Sequence, residues 1–231
     1  MSEAIKFNSS GRSAVLYISG ERASPLVVLN TFAGEGADVE EQLKKLSVPE
    51  HHLLVMCRLS WEADMSPWEC PPLSKNDPPF TGGADLYLKQ LTSEILPHAK
   101  SLIGAKPAFT AIAGYSLAGL FALYALCRCG EFDRAASMSG SLWYPEFRQF
   151  VIDNKPLRPV ERLYISLGDK EDRTRQPLLR TVRENTEAIA EHYRSLGINV
   201  TYELNEGNHF REPELRTAKG IKAILMQNNH S

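Results

Sequence analysis

Phe109-Thr-Ala-Ile-Ala-Gly-Tyr-Ser-Leu-Ala-Gly-Leu-Phe121 is the stretch that decides the fold. A β-rich run, Phe109–Ala113, leads straight into Gly114-Tyr115-Ser116-Leu117-Ala118-Gly119, and an apolar helical run over Leu117–Cys129 follows. Strand, tight turn and buried helix around a serine are the context of a nucleophile elbow, Gly-x-Ser-x-Gly. The turn must expose the serine hydroxyl while strand and helix pass close on either side, which demands small residues. Gly114 meets that demand on one side. Ala118 stands where a second glycine is usual, and Gly119 follows directly. The turn carries neither Gly-x-x-x-x-Gly-Lys-Ser/Thr nor Gly-x-Gly-x-x-Gly, so a phosphate-binding reading fails. Ser116 is therefore the candidate nucleophile.

Outward from this turn, short β-rich runs alternate with amphipathic ones. Strands are expected at Val15–Ile18, Leu26–Leu29, Leu53–Cys57, Phe109–Ala113, Ala135–Met138, Leu163–Leu167 and Ile198–Tyr202. Helical patterns lie at Val39–Leu46, Ala84–Leu96, Leu117–Cys129, Leu178–Leu196 and Arg216–Gln227. Such alternation means crossover connections, hence an α/β fold with a mainly parallel twisted sheet and helices on both faces. No helix separates the first two strands, which suggests an antiparallel start. Residues 60–83 break the rhythm with five prolines, Pro67, Pro71, Pro72, Pro78 and Pro79. A long irregular loop leaving the carboxyl edge of a parallel sheet is expected near the active site.

Composition narrows the function classes. The 231 residues are 43% hydrophobic and carry 26 Lys+Arg against 28 Asp+Glu, a formal net charge of −2. Nucleic-acid binding normally leaves a basic excess, and disorder a poverty of apolar residues, so a single globular domain over 1–231 is expected. The longest apolar stretch, Leu117–Cys127, is about half of the ~20 residues a membrane span needs, and the first residues show no secretory pattern. Cys127 and Cys129 point to different faces of one helix, against a disulfide or metal clip between them. Reduced thiols and a cytoplasmic location are the simplest expectation for Cys57, Cys70, Cys127 and Cys129.

A serine nucleophile needs a base, and the base needs an acid to hold its tautomer. In a chain ordered serine, acid, histidine, only His192, His209 and His230 are available. His192 falls inside a helical pattern and His230 in a polar tail. His209 lies in Asn205-Glu-Gly-Asn-His-Phe210, a loop after the last strand, and is the candidate base. Gly168-Asp-Lys-Glu-Asp-Arg173 offers Asp169, Glu171 and Asp172 as the acid. Spacing does not choose among them, and Glu171 is favoured as the residue three after the strand-ending glycine. An oxyanion hole is expected from the N–H of Leu117 and, in Asn30-Thr-Phe-Ala-Gly-Glu-Gly36, that of Phe32. Trp61, Trp68 and Trp143 are candidates to frame the cleft, with Trp68 and Trp143 favoured as its walls.

With these residues in place, the chain resembles the putative esterase family of α/β-hydrolases. That family includes esterase D-like carboxylesterases, enterobactin-type siderophore esterases and mycobacterial mycolyltransferases. Asp64-Met-Ser-Pro-Trp68, Gly82-Gly-Ala-Asp-Leu-Tyr-Leu88, Glu94-Ile-Leu-Pro97, the elbow and Ser139-Gly-Ser-Leu-Trp143 carry the resemblance, with Gly168-Asp-Lys-Glu171 and Gly207-Asn-His209. Ala118 and Gly140 depart from the family's usual Gly and Pro. The resemblance implies an α/β-hydrolase fold with Ser116 as nucleophile, His209 as base and Glu171 as acid. It implies hydrolysis of a small-molecule carboxylic ester through an acyl-serine, with no metal or organic cofactor. An acyltransferase using the same triad, and a noncatalytic binding protein of this fold, are the alternatives. At 231 residues the chain is close to the minimum for this fold, so an open cleft shaped by loops is expected.

Overall fold

The computed structural model describes residues 3–226. The chain opens with β1 (Glu3–Ser9), β2 (Arg12–Ile18) and β3 (Leu26–Asn30), then α1 (Gly36–Lys45) and β4 (His52–Cys57). The connection to the next helix holds α2 (Trp61–Asp64), β5 (Glu69–Cys70) and β6 (Phe80–Thr81). Helix α3 (Ala84–Gln90) runs through a π-turn at Leu91–Ile95 into α4 (Leu96–Ile103). Strand β7 (Thr110–Tyr115), α5 (Leu117–Arg128), β8 (Arg134–Met138), α6 (Phe147–Asp153) and β9 (Arg162–Gly168) follow. A short 3₁₀ turn leads into α7 (Val182–Ser195), then β10 (Val200–Asn205) and α8 (Pro213–Leu225). Gln227, expected to end the last helix, and His230 lie outside the described residues.

Eight strands form one sheet in the order β1-β2-β4-β3-β7-β8-β9-β10, with β5 and β6 pairing separately. From β4 to β10 every neighbour is parallel, while β1–β2 and β2–β4 are antiparallel. The antiparallel start thus exists with other partners than expected. Val15–Ile18 pairs with β1 and β4, and Leu26–Leu29 lies one strand deeper. Every residue of β3 is buried, whereas β2 is half-exposed at most positions, so burial of both faces draws β3 to the interior. Alternation along the strands divides the core into two layers. Leu26, Val28, Leu54, Met56 and Ile112 face the α3–α7 side, and Val27, Leu29, Leu53, Val55, Ala111 and Ala113 face α1 and α8.

The Pro-rich connection is more ordered than its composition suggests. Glu69 and Cys70 pair with Thr81 and Phe80, closing the loop on itself. At its start Asp64 accepts from Arg12 Nη2 at 2.7 Å and from the Ser60 N–H at 2.7 Å, tying the loop to β2. All four cysteines are free. Among the described residues no helix is long and apolar enough to cross a membrane, and no group of three or more His, Cys, Asp or Glu is placed to hold a metal ion.

Candidate active site

Ser116 sits between β7 and α5 with φ +58° and ψ −125°, a conformation that L-residues rarely adopt. Two bonds hold it there: its N–H donates to Met138 O at 3.1 Å, and its carbonyl accepts from the Ser141 N–H at 3.0 Å. Gly114 makes the turn possible. A Cβ at that position would lie 2.4 Å from the backbone carbon and oxygen of Ala118. Ala118 is fully buried and is accommodated because Gly114 has no side chain. The second close approach falls on Gly119, whose added Cβ would come within 3.0 Å of Gly140 Cα.

Three side chains from separate segments meet at this turn. His209 Nε2 lies 3.0 Å from Ser116 Oγ, and its Nδ1 lies 2.8 Å from Glu171 Oε2. The other oxygen, Glu171 Oε1, accepts from Ser139 Oγ at 2.7 Å and the Gly168 N–H at 2.6 Å. Of the three candidate acids only Glu171 meets His209. Asp169 turns to the base loop's backbone, where Oδ1 accepts the Gly207 N–H at 2.7 Å. The Glu171 side chain is 4% exposed, so the acid is deep and His209 bridges it to the surface. Gly168 lets the acid and base loops touch, since a Cβ there would lie 2.4 Å from Gly207 O.

Burial pushes the Glu171 carboxyl pKa up, but His209, Ser139 and the Gly168 N–H outweigh it, and the net shift is downward. A carboxylate whose folded pKa is depressed stabilises the fold above its unfolded value and loses that contribution as pH falls through the folded one. Urea unfolding should therefore show stability falling below about pH 4.5. Glu171→Gln should cost about 1–3 kcal/mol at pH 7 by breaking a buried hydrogen-bond set. The same variant should flatten the acid limb, and an unchanged limb would rule out Glu171 as its source.

Leu117 is the first residue of α5, where amide N–H groups have no carbonyl partner within the helix. Phe32 lines the same cleft as Leu117, 61% exposed, its ring edge-on to Trp61 at 5.3 Å between centroids. Two clefts of about 340 and 380 Å³ meet at Ser116 and share Phe32, Trp61, His209 and Phe210. The first runs along Thr31, Glu35, Val39, Tyr115 and Glu214, and the second along Leu73, Phe80, Gly140, Trp143, Leu179 and Val182. Residues Trp61, Glu62, Leu73, Asp77, Pro78 and Phe80 bring the Pro-rich loop into the second cleft.

The tryptophans divide differently from expectation. Trp143 lines the second cleft, and Trp61 lines both. Trp68 lines neither: its indole N–H donates to Pro145 O at 3.1 Å, and its ring packs on Tyr144, Phe147 and Phe150. An indole with its N–H satisfied and its faces covered is a packing anchor, here joining the loop to α6. The sequence reading also missed Ser141, whose Oγ is 3.3 Å from Ser116 Oγ, and Arg216 beneath the acid. A Ser-x-Ser pair after a buried strand, and an arginine in a helical run, look like ordinary turn and surface residues.

The family model described as "Putative esterase" matches residues 13–213. Among solved structures the chain is similar to an IroE-like serine hydrolase from Shewanella oneidensis, with a TM-score of 0.76 and 17% identity over 96% of this chain and 79% of that one. It is similar also to the siderophore hydrolase EstA from Aspergillus nidulans, with a TM-score of 0.71 and 19% identity over 96% of this chain and 92% of that one. Likeness at these identities is likeness of the α/β-hydrolase fold. A curated relative, "Uncharacterized protein YbbA" of Bacillus subtilis (strain 168), is 26% identical over 138 residues, which span 58% of this chain and 55% of that protein. The match thus spans about half the length of that relative.

Proposed function

The chain belongs to the Esterase family, and from that membership we propose that it is a serine hydrolase cleaving carboxylic esters through an acyl-Ser116 intermediate. The observation that carries the reading is the unbroken line Ser116 Oγ, His209 Nε2, His209 Nδ1, Glu171 Oε2, with contacts of 3.0 and 2.8 Å. Glu171 as a carboxylate accepts the Nδ1–H of His209, which leaves the Nε2 lone pair facing the serine hydroxyl. His209 takes that proton as Oγ attacks the ester carbon. The oxyanion develops beside the N–H groups of Leu117 and Phe32, with the α5 N-terminus adding its positive dipole end. His209 then protonates the departing alkoxide. Water enters, gives its proton to His209 and releases the carboxylic acid, restoring Ser116.

The two clefts divide the ester into its acyl and alcohol halves, and their walls describe the substrate. Phe32, Trp61, Phe80 and Trp143 supply apolar and aromatic surface. Among the described residues neither cleft is lined by Lys or Arg, whereas Glu35, Glu214, Glu62 and Asp77 line them. Lys170, Arg173 and Arg211 line another depression, which adjoins the clefts at Phe210. Such a field repels strongly anionic substrates, so the preferred ester is neutral. The siderophore chemistry named for the Aspergillus neighbour is therefore not carried over to strongly anionic siderophores. Expected kcat/KM for p-nitrophenyl butyrate exceeds that for a ferric tricatecholate trilactone by at least about tenfold at low salt, narrowing as salt rises. The reverse order would contradict the neutral-ester assignment. Absence of turnover on both p-nitrophenyl acetate and butyrate would contradict the hydrolase reading itself. The same proposal places the enzyme in the cytoplasm, where thiols such as Cys57, Cys70, Cys127 and Cys129 stay reduced.

A further inference from the structure

Arg216, on the first turn of α8, is 2% exposed, and a buried guanidinium is costly unless its donors are used. Its donors reach four segments. Nη1 faces Tyr115 Oη at 3.3 Å, Ser139 Oγ at 3.3 Å and Glu171 Oε1 at 3.4 Å, and Nη2 donates to Glu206 O at 2.9 Å. Each contact supports a different part of the site. Glu171 Oε1 is held by Ser139, Gly168 and Arg216, so Oε2 is the oxygen left for His209. Tyr115 Oη, which accepts from Arg216, donates to the His209 carbonyl at 2.7 Å and so fixes the base's own backbone. Glu206 opens the loop that carries His209, and the Ser139 loop carries Ser141, whose N–H holds the Ser116 carbonyl.

We infer that Arg216 is a positioning residue: with Ser139 and Gly168 it holds the Glu171 carboxylate in the orientation that presents one oxygen to His209, and it keeps the acid and base loops in register. The inference rests on the serine-hydrolase reading for its catalytic consequence, but its structural content stands apart from turnover. A planar fork with several donors can reach four acceptors at once, while a lysine ammonium on a flexible stem cannot reproduce that geometry. A misplacement of about 1 Å at such a site costs about 10² in rate. Arg216→Met should therefore lower kcat on p-nitrophenyl butyrate by about 10², and Arg216→Lys by about tenfold, with KM changed less than about twofold in both.

The deciding readout is the far-downfield proton NMR signal of the His209 Nδ1–H held by Glu171, assigned by its loss in Glu171→Gln. It should be present in the wild type, weakened in Arg216→Lys and absent in folded Arg216→Met. A folded Arg216→Met with the wild-type signal and kcat would overturn the proposal. If Arg216→Met fails to fold, Arg216→Lys decides, and the wild-type signal with the wild-type kcat in that variant would equally overturn it. A wild-type protein that shows the signal but hydrolyses no ester would sink the hydrolase reading and leave the positioning role standing.

Discussion

Ser116→Ala is expected to lower kcat on p-nitrophenyl butyrate by about 10⁴–10⁶ while leaving the fold intact. The size follows from what the hydroxyl does. Without Oγ no acyl-enzyme forms, so only direct attack of water beside the oxyanion donors remains. The fold survives because the bonds that hold the turn are main-chain ones, from Ser116 N to Met138 O and from Ser141 N to Ser116 O. Strain sharpens the prediction. At φ +58°, ψ −125° a residue with a Cβ costs on the order of 1–3 kcal/mol. Ser116→Gly should thus be as inactive as Ser116→Ala and more stable than it, measured as a higher midpoint of urea unfolding. Equal midpoints would mean that the turn stores no strain; wild-type turnover in either variant would remove Ser116 from the mechanism.

Gly114→Ala should be the most damaging single methyl in the site. Its Cβ would lie 2.4 Å from the carbon and oxygen of the Ala118 backbone and 2.5 Å from Ala118 Cβ. Side chains can move aside, but here β7 or the first turn of α5 must shift. The expected cost is about 2–4 kcal/mol in stability, together with about 10² or more in kcat as Ser116 moves away from His209. Adding Ala118→Gly should recover part of both losses, because it removes the Cβ contact and leaves the backbone one. Alone, Ala118→Gly should change kcat little, as the wild-type pair already fits. Full recovery in the double variant would show that the clash is with a side chain; no loss in Gly114→Ala would contradict the close packing of strand against helix at Ala118.

The turn was legible because its requirements are local: small residues, a β-rich run before and an apolar run after. His209 was legible by elimination, from its place between a strand and a helix. The acid was legible only in part: Glu171 was favoured by its place three residues after Gly168, but Asp169 and Asp172 share its loop and remained candidates. What separates them is three-dimensional, with the Gly168 N–H and Ser139 Oγ converging on Glu171 while the Gly207 N–H claims Asp169. Strand β1 was missed because Glu3–Ser9 mixes charged and apolar residues with no buried position to impose a strong period. Trp68 misled for a related reason: a tryptophan in a Pro-rich loop can face a cleft or close over a core, and only tertiary packing decides. Arg216 stayed invisible because a cation in an amphipathic helix normally marks the solvent face.

The most direct test of the central claim is labelling with a fluorophosphonate, followed by peptide mass analysis. The account predicts one adduct per chain, located on Ser116, formed rapidly by the wild type, absent from Ser116→Ala and strongly slowed in His209→Ala. No adduct on the folded wild-type protein, or an adduct at another residue that tracks the loss of esterase activity, would contradict it.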